Sequence, residues 1–267
     1  MNEGTAKSAT KSKAAANYAR PGFNNIAPYM LVKGAAEFIE FLKAAFGAEE
    51  RVRVPREDGS VMHAELGVGN SLIELGDANQ KHPARQVAIH LYVDDADAIY
   101  QRALRAGAIS LQAVADMAWG DRQGSVRDSF GNRWYIGMPK SWTPGPEGLP
   151  SVQPYLHLRN AQKFIPFAEA AFGAQAEGVA LSEDGKVLHA TIRMGTGTVE
   201  IDEASGESTP SPGYMHFYVA DVDAVYTKAL KAGATSIEAP NDKPYGERSA
   251  GIRDAFGNVW WAATYSE

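Results

Sequence analysis

The sequence predicts an α+β chain in which one domain occurs twice, each copy being two βαβββ units in succession. Three observations predict it. First, Pro28-Tyr29 recurs 126 residues later as Pro154-Tyr155, and Ala44-Ala45-Phe46-Gly47-Ala48 returns at that offset as Ala170-Ala171-Phe172-Gly173-Ala174. His63-Ala64 and His189-Ala190 obey the same offset, as do His90-Leu91-Tyr92-Val93 and His216-Phe217-Tyr218-Val219, and Arg127-Asp128-Ser129-Phe130-Gly131-Asn132 and Arg253-Asp254-Ala255-Phe256-Gly257-Asn258. A polar residue kept in both copies is a stronger site candidate than one seen once. Second, the apolar period alternates between helical and extended in the order strand, helix, three strands, twice per copy. Third, 267 residues with 45% hydrophobic and 22% charged side chains suit two domains with real cores.

The elements follow in order. Ile26–Val32 alternates as a strand. Phe38, Leu42 and Phe46, with Ile39 beside them, make the apolar face of a helix. Gly47 supplies the left-handed residue that stops it. Strands at 51–55, Val61–Val68 and 71–75 come next, turned by Glu57-Asp58-Gly59 and Gly67-Val68-Gly69-Asn70. A strand at 87–93 opens the second unit. Its helix is capped by Asp94 or Asp95 and ends before Gly107. Strands at 110–115, 125–128 and 134–137 close the copy, with Gly131 in the last turn. Gly173, Asp221 and Gly233 repeat the helix signals.

These boundaries give a disordered tail over 1–22, a domain over 23–138, a Pro/Gly linker over 139–150 and a second domain over 151–267. The tail is basic and contains Ser, so a targeting segment is the alternative reading. Pro139, Pro144, Pro146 and Pro150 stiffen the linker, and Trp142 is expected to seal the domains together.

Composition excludes several functions. There are 26 Lys and Arg against 32 Asp and Glu, and the tail is basic, so the folded remainder carries −9. An acidic body is a poor partner for phosphate backbones, which argues against nucleic acid. No apolar run reaches the ~18–20 residues of a membrane helix. With no cysteine there is no disulfide, thiolate nucleophile or Cys-ligated metal, and a cytoplasmic location is compatible.

Alternation sorts each strand into two faces. Ile89 and Leu91 pack toward the helices, which turns Ala88, His90 and Tyr92 the other way. The same parity turns Tyr29, Leu31, His63, Glu65, Leu72 and Glu74 away from the helices. In copy two it does so for Gln153, Tyr155, His157, His189, Thr191, Glu200, Tyr214, His216 and Tyr218. Of six histidines, only His82 is off this surface. Imidazoles, carboxylates and tyrosines gathered on one face read as a small-molecule site.

Four βαβββ units with Asp128-Ser129-Phe130-Gly131-Asn132 before a last strand resemble the vicinal oxygen chelate superfamily. That family includes glyoxalase I, extradiol dioxygenases and the fosfomycin- and bleomycin-resistance proteins. Its PhnB-like branch is similar in Pro28-Tyr29, Gly34-Ala35-Ala36-Glu37, Ala45-Phe46-Gly47-Ala48, Met62-His63-Ala64-Glu65-Leu66, His90-Leu91-Tyr92-Val93 and Gly120-Asp121-Arg122. The resemblance covers about residues 24–137 and 150–264. It implies that pairs of units form curved, cup-like mixed sheets with helices outside. Dimeric members complete their cups across the dimer, so the chain is expected to be a monomer with an internal pseudo-dimer or a homodimer.

The resemblance also implies a glyoxalase-like function: a lyase, isomerase or dioxygenase acting on a small oxygen-rich metabolite, or a metal-free protein that sequesters a small molecule. No S-adenosylmethionine-binding element supports a methyltransferase. Superfamily metal ligands stand on first and last strands, here about Ala27, Glu74, Ala88 and Tyr135, and Gln153, Glu200, Tyr214 and Trp261. Alanine has no donor atom and Trp only an N–H, which is too few for the four-ligand glyoxalase I site. A rearranged site for Fe, Ni, Mn or Zn is the alternative, from His63, Glu74 and His90 with their repeats His189, Glu200 and His216. Glu74 and Glu200 are the catalytic candidates. Tyr29, His63, His90, Tyr92, Gln153, Tyr155, His157, His189, His216 and Tyr218 are expected to contact substrate. Trp119, Arg122, Tyr245 and Arg248 are expected at the cup rims, with the arginines gripping an anion or, alternatively, shaping their own loops through carboxylates.

Overall fold

A computed structural model of the protein describes residues 18–20, 22–139, 150–206 and 209–265. Most of the tail and of the linker, Trp142 included, lies outside the described residues. Unit one runs β1 (Ile26–Val32), α1 (Ala35–Phe46), β2 (Glu49–Pro55), β3 (Val61–Val68) and β4 (Ser71–Asp77). Unit two runs β5 (Ala88–Tyr92), α2 (Ala96–Arg105), β6 (Ile109–Asp116), β7 (Arg122–Arg127) and β8 (Arg133–Met138). Unit three is β9 (Val152–Leu158), α3 (Ala161–Phe172), β10 (Gln175–Leu181), β11 (Val187–Met194) and β12 (Gly197–Glu203). Unit four is β13 (Tyr214–Tyr218), α4 (Val222–Lys231), β14 (Thr235–Lys243), β15 (Glu247–Arg253) and β16 (Val259–Tyr265). Among the described residues no helix is long and apolar enough to cross a membrane.

Local chemistry sets the helix ends. Gly47 adopts φ 69° and returns its N–H to the last turn of α1. Asp95 caps α2 by accepting from the Ala98 N–H at 2.9 Å, and Asp221 does the same for α4. Helix α1 has no cap of its own. Asp77, the last residue of β4, accepts from the N–H groups of Gly34 and Ala35, so the strand holds the helix start in place.

Two eight-stranded mixed sheets form, and each draws on both copies. Sheet one has the order β14-β15-β16-β13-β1-β4-β3-β2, joining unit one to unit four. Sheet two has the order β10-β11-β12-β9-β5-β8-β7-β6, joining unit two to unit three. The seams are antiparallel: Ala27 lies opposite His216, and His90 opposite Gln153. The cup completion that the resemblance implies for dimers thus happens inside one chain.

Hydrophobic burial does not follow the sheets. Phe38, Leu42, Ile89, Trp134 and Ile136 bury together within copy one, where α1 packs on α2. Phe164, Met215, Phe217 and Trp260 do so within copy two, where α3 packs on α4. Each copy therefore supplies most of its own core, with Val152 and Ile26 each packing into the other copy's, while each sheet is shared. Sharing pairs the open edges of β1 and β5, which would otherwise expose unmet backbone groups. Across each seam, residues turned away from the helices meet residues of the other copy, as His216 meets Glu74 and His90 meets Glu200.

Candidate functional site

Cup two is the helix-free face of sheet two, and a buried carboxylate stands at its centre. Glu200, on β12, is 1% exposed. Its Oε2 accepts from His90 Nδ1 at 2.7 Å and lies 3.4 Å from His189 Nε2, while Oε1 accepts from the Tyr92 hydroxyl at 2.9 Å. Burial alone would raise the Glu200 carboxyl, but His90 and His189 outweigh it and hold it well below the usual range. The hydrogen bond from His189 to Glu200 raises the imidazole in return. Burial, with Glu200 nearby, pushes the Tyr92 phenol far up, so it remains a donor.

A carboxylate only accepts, so His90 Nδ1 carries the proton that Glu200 receives. The other nitrogen, Nε2, is buried and has no partner among the described residues. It lies over Gly137, where an added Cβ would stand 2.7 Å away. Across the seam, Gln153 donates to the Pro150 carbonyl at 3.3 Å, and its Oε1 is likewise buried without a partner. A second chain runs beside them. His157 joins Asp202 Oδ1 at 2.6 Å through Nδ1 and the Tyr135 hydroxyl at 3.3 Å through Nε2. The rings of His90, Tyr92, Tyr135, Tyr155 and His157 pack into one aromatic layer, with His90 and Tyr92 stacked at 4.1 Å.

Cup one has the same plan, but both ring nitrogens of its central histidine have carboxylate neighbours. Glu74 takes the place of Glu200, and His216 reaches it through Nδ1 at 2.9 Å and 3.1 Å. Here the second nitrogen has a carboxylate, since His216 Nε2 lies 3.5 Å from Glu247 Oε2. Glu247 also accepts from the Tyr218 hydroxyl at 2.9 Å. His63 sits between the Tyr29 hydroxyl at 3.3 Å and Glu65 at 3.2 Å. Asp121, the repeat of Glu247 in copy one, is one methylene shorter, and Thr191 replaces Glu65.

The charge state of His216 follows from this packing. Burial would lower its pKa, but Glu74 and Glu247 outweigh burial and raise it to about 10 from 6.5. A raised folded-state pKa stabilises the fold fully below about 6.5, and that stability is lost as pH rises through about 10. Urea midpoints should therefore fall across this window, and His216→Gln should flatten the fall. An equal fall in the variant would assign it to other groups.

The structure regroups the sequence candidates. Tyr29, His63, Glu74, His216 and Tyr218 meet in cup one, and His90, Tyr92, Gln153, Tyr155, His157, His189 and Glu200 in cup two. The proposed metal triads within a copy are split: His63 and Glu74 belong to sheet one but His90 to sheet two, and His189 and Glu200 to sheet two but His216 to sheet one. The cause is the seam, which pairs β5 with β9 and β1 with β13. Arg122 and Arg248 are not free to grip a substrate. Arg122 is bound by Asp97 and Asp116, and Arg248 by Asp223 and Asp242. Each arginine begins or lies in a strand, β7 or β15, and not in a rim loop. Trp119 and Tyr245 stand on the hairpin turns, 66% and 63% exposed.

Three contributors escaped the sequence reading, and Tyr135, expected only at a metal position, reaches His157. Asp202 follows from carrying the alternation of Glu200 one step further. Glu247 shares the face of Ser249 on β15. Arg20 carried no signal, because it precedes the first repeat.

The metal positions also regroup. Cup two gathers Ala88, Tyr135, Gln153 and Glu200, and cup one Ala27, Glu74, Tyr214 and Trp261. Alanine and Trp offer no acceptor atom, so these donors do not fit the four-ligand site. Among the described residues no three His, Asp or Glu side chains are placed to hold a metal ion.

Comparison with known proteins agrees with this architecture. Residues 22–136 and 156–262 each match the model of the Glyoxalase/Bleomycin resistance protein/Dioxygenase superfamily. Uncharacterized proteins of Mycobacterium bovis and Mycobacterium tuberculosis (strain H37Rv) are 40% identical over 125 residues, covering 43% of this chain and 82% and 74% of theirs. The crystal structure of glyoxalase I from Zea mays superposes with a TM-score of 0.70 at 16% identity, over 89% of this chain and 92% of that one. At that identity the superposition speaks for fold alone. With matches over both copies and four βαβββ units in two shared sheets, the chain belongs to the Glyoxalase/Bleomycin resistance protein/Dioxygenase superfamily.

Proposed function

We propose that cup two is the working site and that it moves a proton on a small oxygen-rich metabolite, as a lyase or isomerase of glyoxalase-like type. One observation carries the reading: His90 donates its Nδ1–H in a hydrogen bond to buried Glu200, and its Nε2 has no partner among the described residues. That is the arrangement of an oriented general base, in which the carboxylate fixes the tautomer and steadies the imidazolium. The catalytic role thus moves from Glu200 to His90, since a carboxylate held by two imidazoles is a weak base. Gln153 Oε1 is placed to accept from a ligand hydroxyl beside the reacting carbon. His189, with its raised pKa, supplies a donor. Both unpartnered atoms are shielded from water, so the ligand enters by displacing the aromatic layer around Tyr155. The resemblance to the PhnB-like branch supports a small-molecule role, and a chain with no cysteine is compatible with the cytoplasm.

The test is hydrogen–deuterium exchange next to the carbonyl of α-hydroxy and α-keto compounds in D2O, followed by NMR. Wild-type protein should catalyse exchange, and His90→Gln should lose it by about 10²–10⁴-fold. Gly137→Ala should also lose it, since the new Cβ crowds His90 Nε2. Copy two carries Ala263 at that position, so the fold tolerates the methyl group. Binding without exchange would favour a sequestering protein, which the aromatic lining of cup two also suits. Exchange that survives in both variants would remove His90 from the mechanism.

A further inference from the structure

We propose that cup one is a binding site for a small organic cation of the guanidinium or amidinium type, and that Arg20 is its tethered occupant. Arg20 belongs to neither copy; the residue at the repeat offset is Pro146, in the linker. Its guanidinium nonetheless enters the cup between unit one and unit four. It donates to Glu65 Oε1 on β3 at 2.6 Å and places Nε 3.8 Å from Glu247 Oε1 on β15. The Phe23 ring lies 4.1 Å from the guanidinium, and Phe23 meets Tyr218 edge-on at 5.9 Å. Carboxylates on two sides and an aromatic face on a third form a cage suited to a planar cation.

The cage is built and the occupant fits it incompletely. The Glu65 and Glu247 side chains are only 8% and 4% exposed, whereas Arg20 is 30% exposed. Its Nε is shielded from water yet has no hydrogen-bond partner among the described residues. Cup two has Thr191 where cup one has Glu65, so the carboxylate that Arg20 binds at 2.6 Å has no acidic counterpart in cup two. Glu74 and Glu247 are already matched by His216, and Glu65 Oε1 is shared between His63 at 3.2 Å and Arg20 at 2.6 Å. The segment is anchored just beyond the cage: Asn25 donates to the Tyr218 carbonyl at 2.9 Å and accepts from the Thr196 N–H at 2.9 Å. Arg20 can leave while Asn25 stays.

Methylguanidinium is the probe, titrated into the full chain against potassium chloride at equal ionic strength. Arg20→Ala should bind it saturably and gain thermal stability, and adding Glu65→Gln should weaken binding at least tenfold. The wild-type chain should bind about tenfold more weakly or less, because Arg20 competes, and saturation should speed amide exchange at Phe23. The wild-type exchange readout needs no variant to fold. Three results would each overturn the proposal: no saturable binding to Arg20→Ala, binding indifferent to Glu65→Gln, or wild-type binding that leaves Phe23 exchange unchanged.

Discussion

Glu200→Ala is expected to lower the unfolding free energy by about 3–5 kcal/mol and to abolish ligand binding in cup two. The buried carboxylate has three partners: His90 and Tyr92 from copy one, and His189 from copy two. Alanine removes the acceptor for all three and leaves the buried His90 N–H and Tyr92 hydroxyl without partners, while water can reach His189. Because two of the partners arrive through the seam, the loss also loosens the join between the copies. Glu200→Gln should cost less, since it keeps the shape and one acceptor oxygen. A double-mutant cycle with His90→Ala gives the coupling directly. A cost below about 1 kcal/mol for Glu200→Ala would mean that the pair across the copies contributes little.

Asp254→Ala is the second large effect, expected at about 3 kcal/mol or more. Its Oδ1 accepts from the N–H groups of Phe256 and Asn258, and its Oδ2 from Asn258 Nδ2 and Trp260 Nε1. Each buried donor left unmet costs about 1–3 kcal/mol, reduced where water reaches it. The indole of Trp260 is fully buried and would keep an N–H aimed at nothing. Asp128→Ala should behave alike, because Asp128 serves Phe130, Asn132 and Trp134 in the same way. Urea unfolding of both variants checks this, and a loss at only one site would break the equivalence of the copies. Activity in cup two should survive Asp254→Ala in the fraction that remains folded.

Much of this fold was legible because local rules write it. The alternation of Ile89 and Leu91 against His90 and Tyr92 fixes which face of β5 holds chemistry. Gly47 and Asp95 mark helix ends through conformations and hydrogen bonds that need only near neighbours. The aspartate before each Phe-Gly-Asn turn reads as structural, and its four accepted bonds show why. What is not legible is which unit pairs with which. β1 and β5 have the same kind of edge, and either could in principle meet a unit of its own copy. The choice depends on helix layers that pack within a copy, so it appears only in three dimensions. Every site assignment resting on that choice changes with it. His90 leaves Glu74 for Glu200, and the two triads within a copy dissolve. Arg20 illustrates a different limit, because a side chain outside a repeat has no pattern to announce it.

Histidine-selective NMR of the 15N-labelled chain tests the central claim most directly, because six histidines give a spectrum that mutation can assign. A bound α-hydroxy or α-keto compound is expected to shift His90, His157 and His189 and to leave His63, His82 and His216 in place. The same three signals should be the ones most altered by Glu200→Gln. A ligand that instead moves His63 and His216 while His90 stays still would contradict the assignment and make cup one the working site.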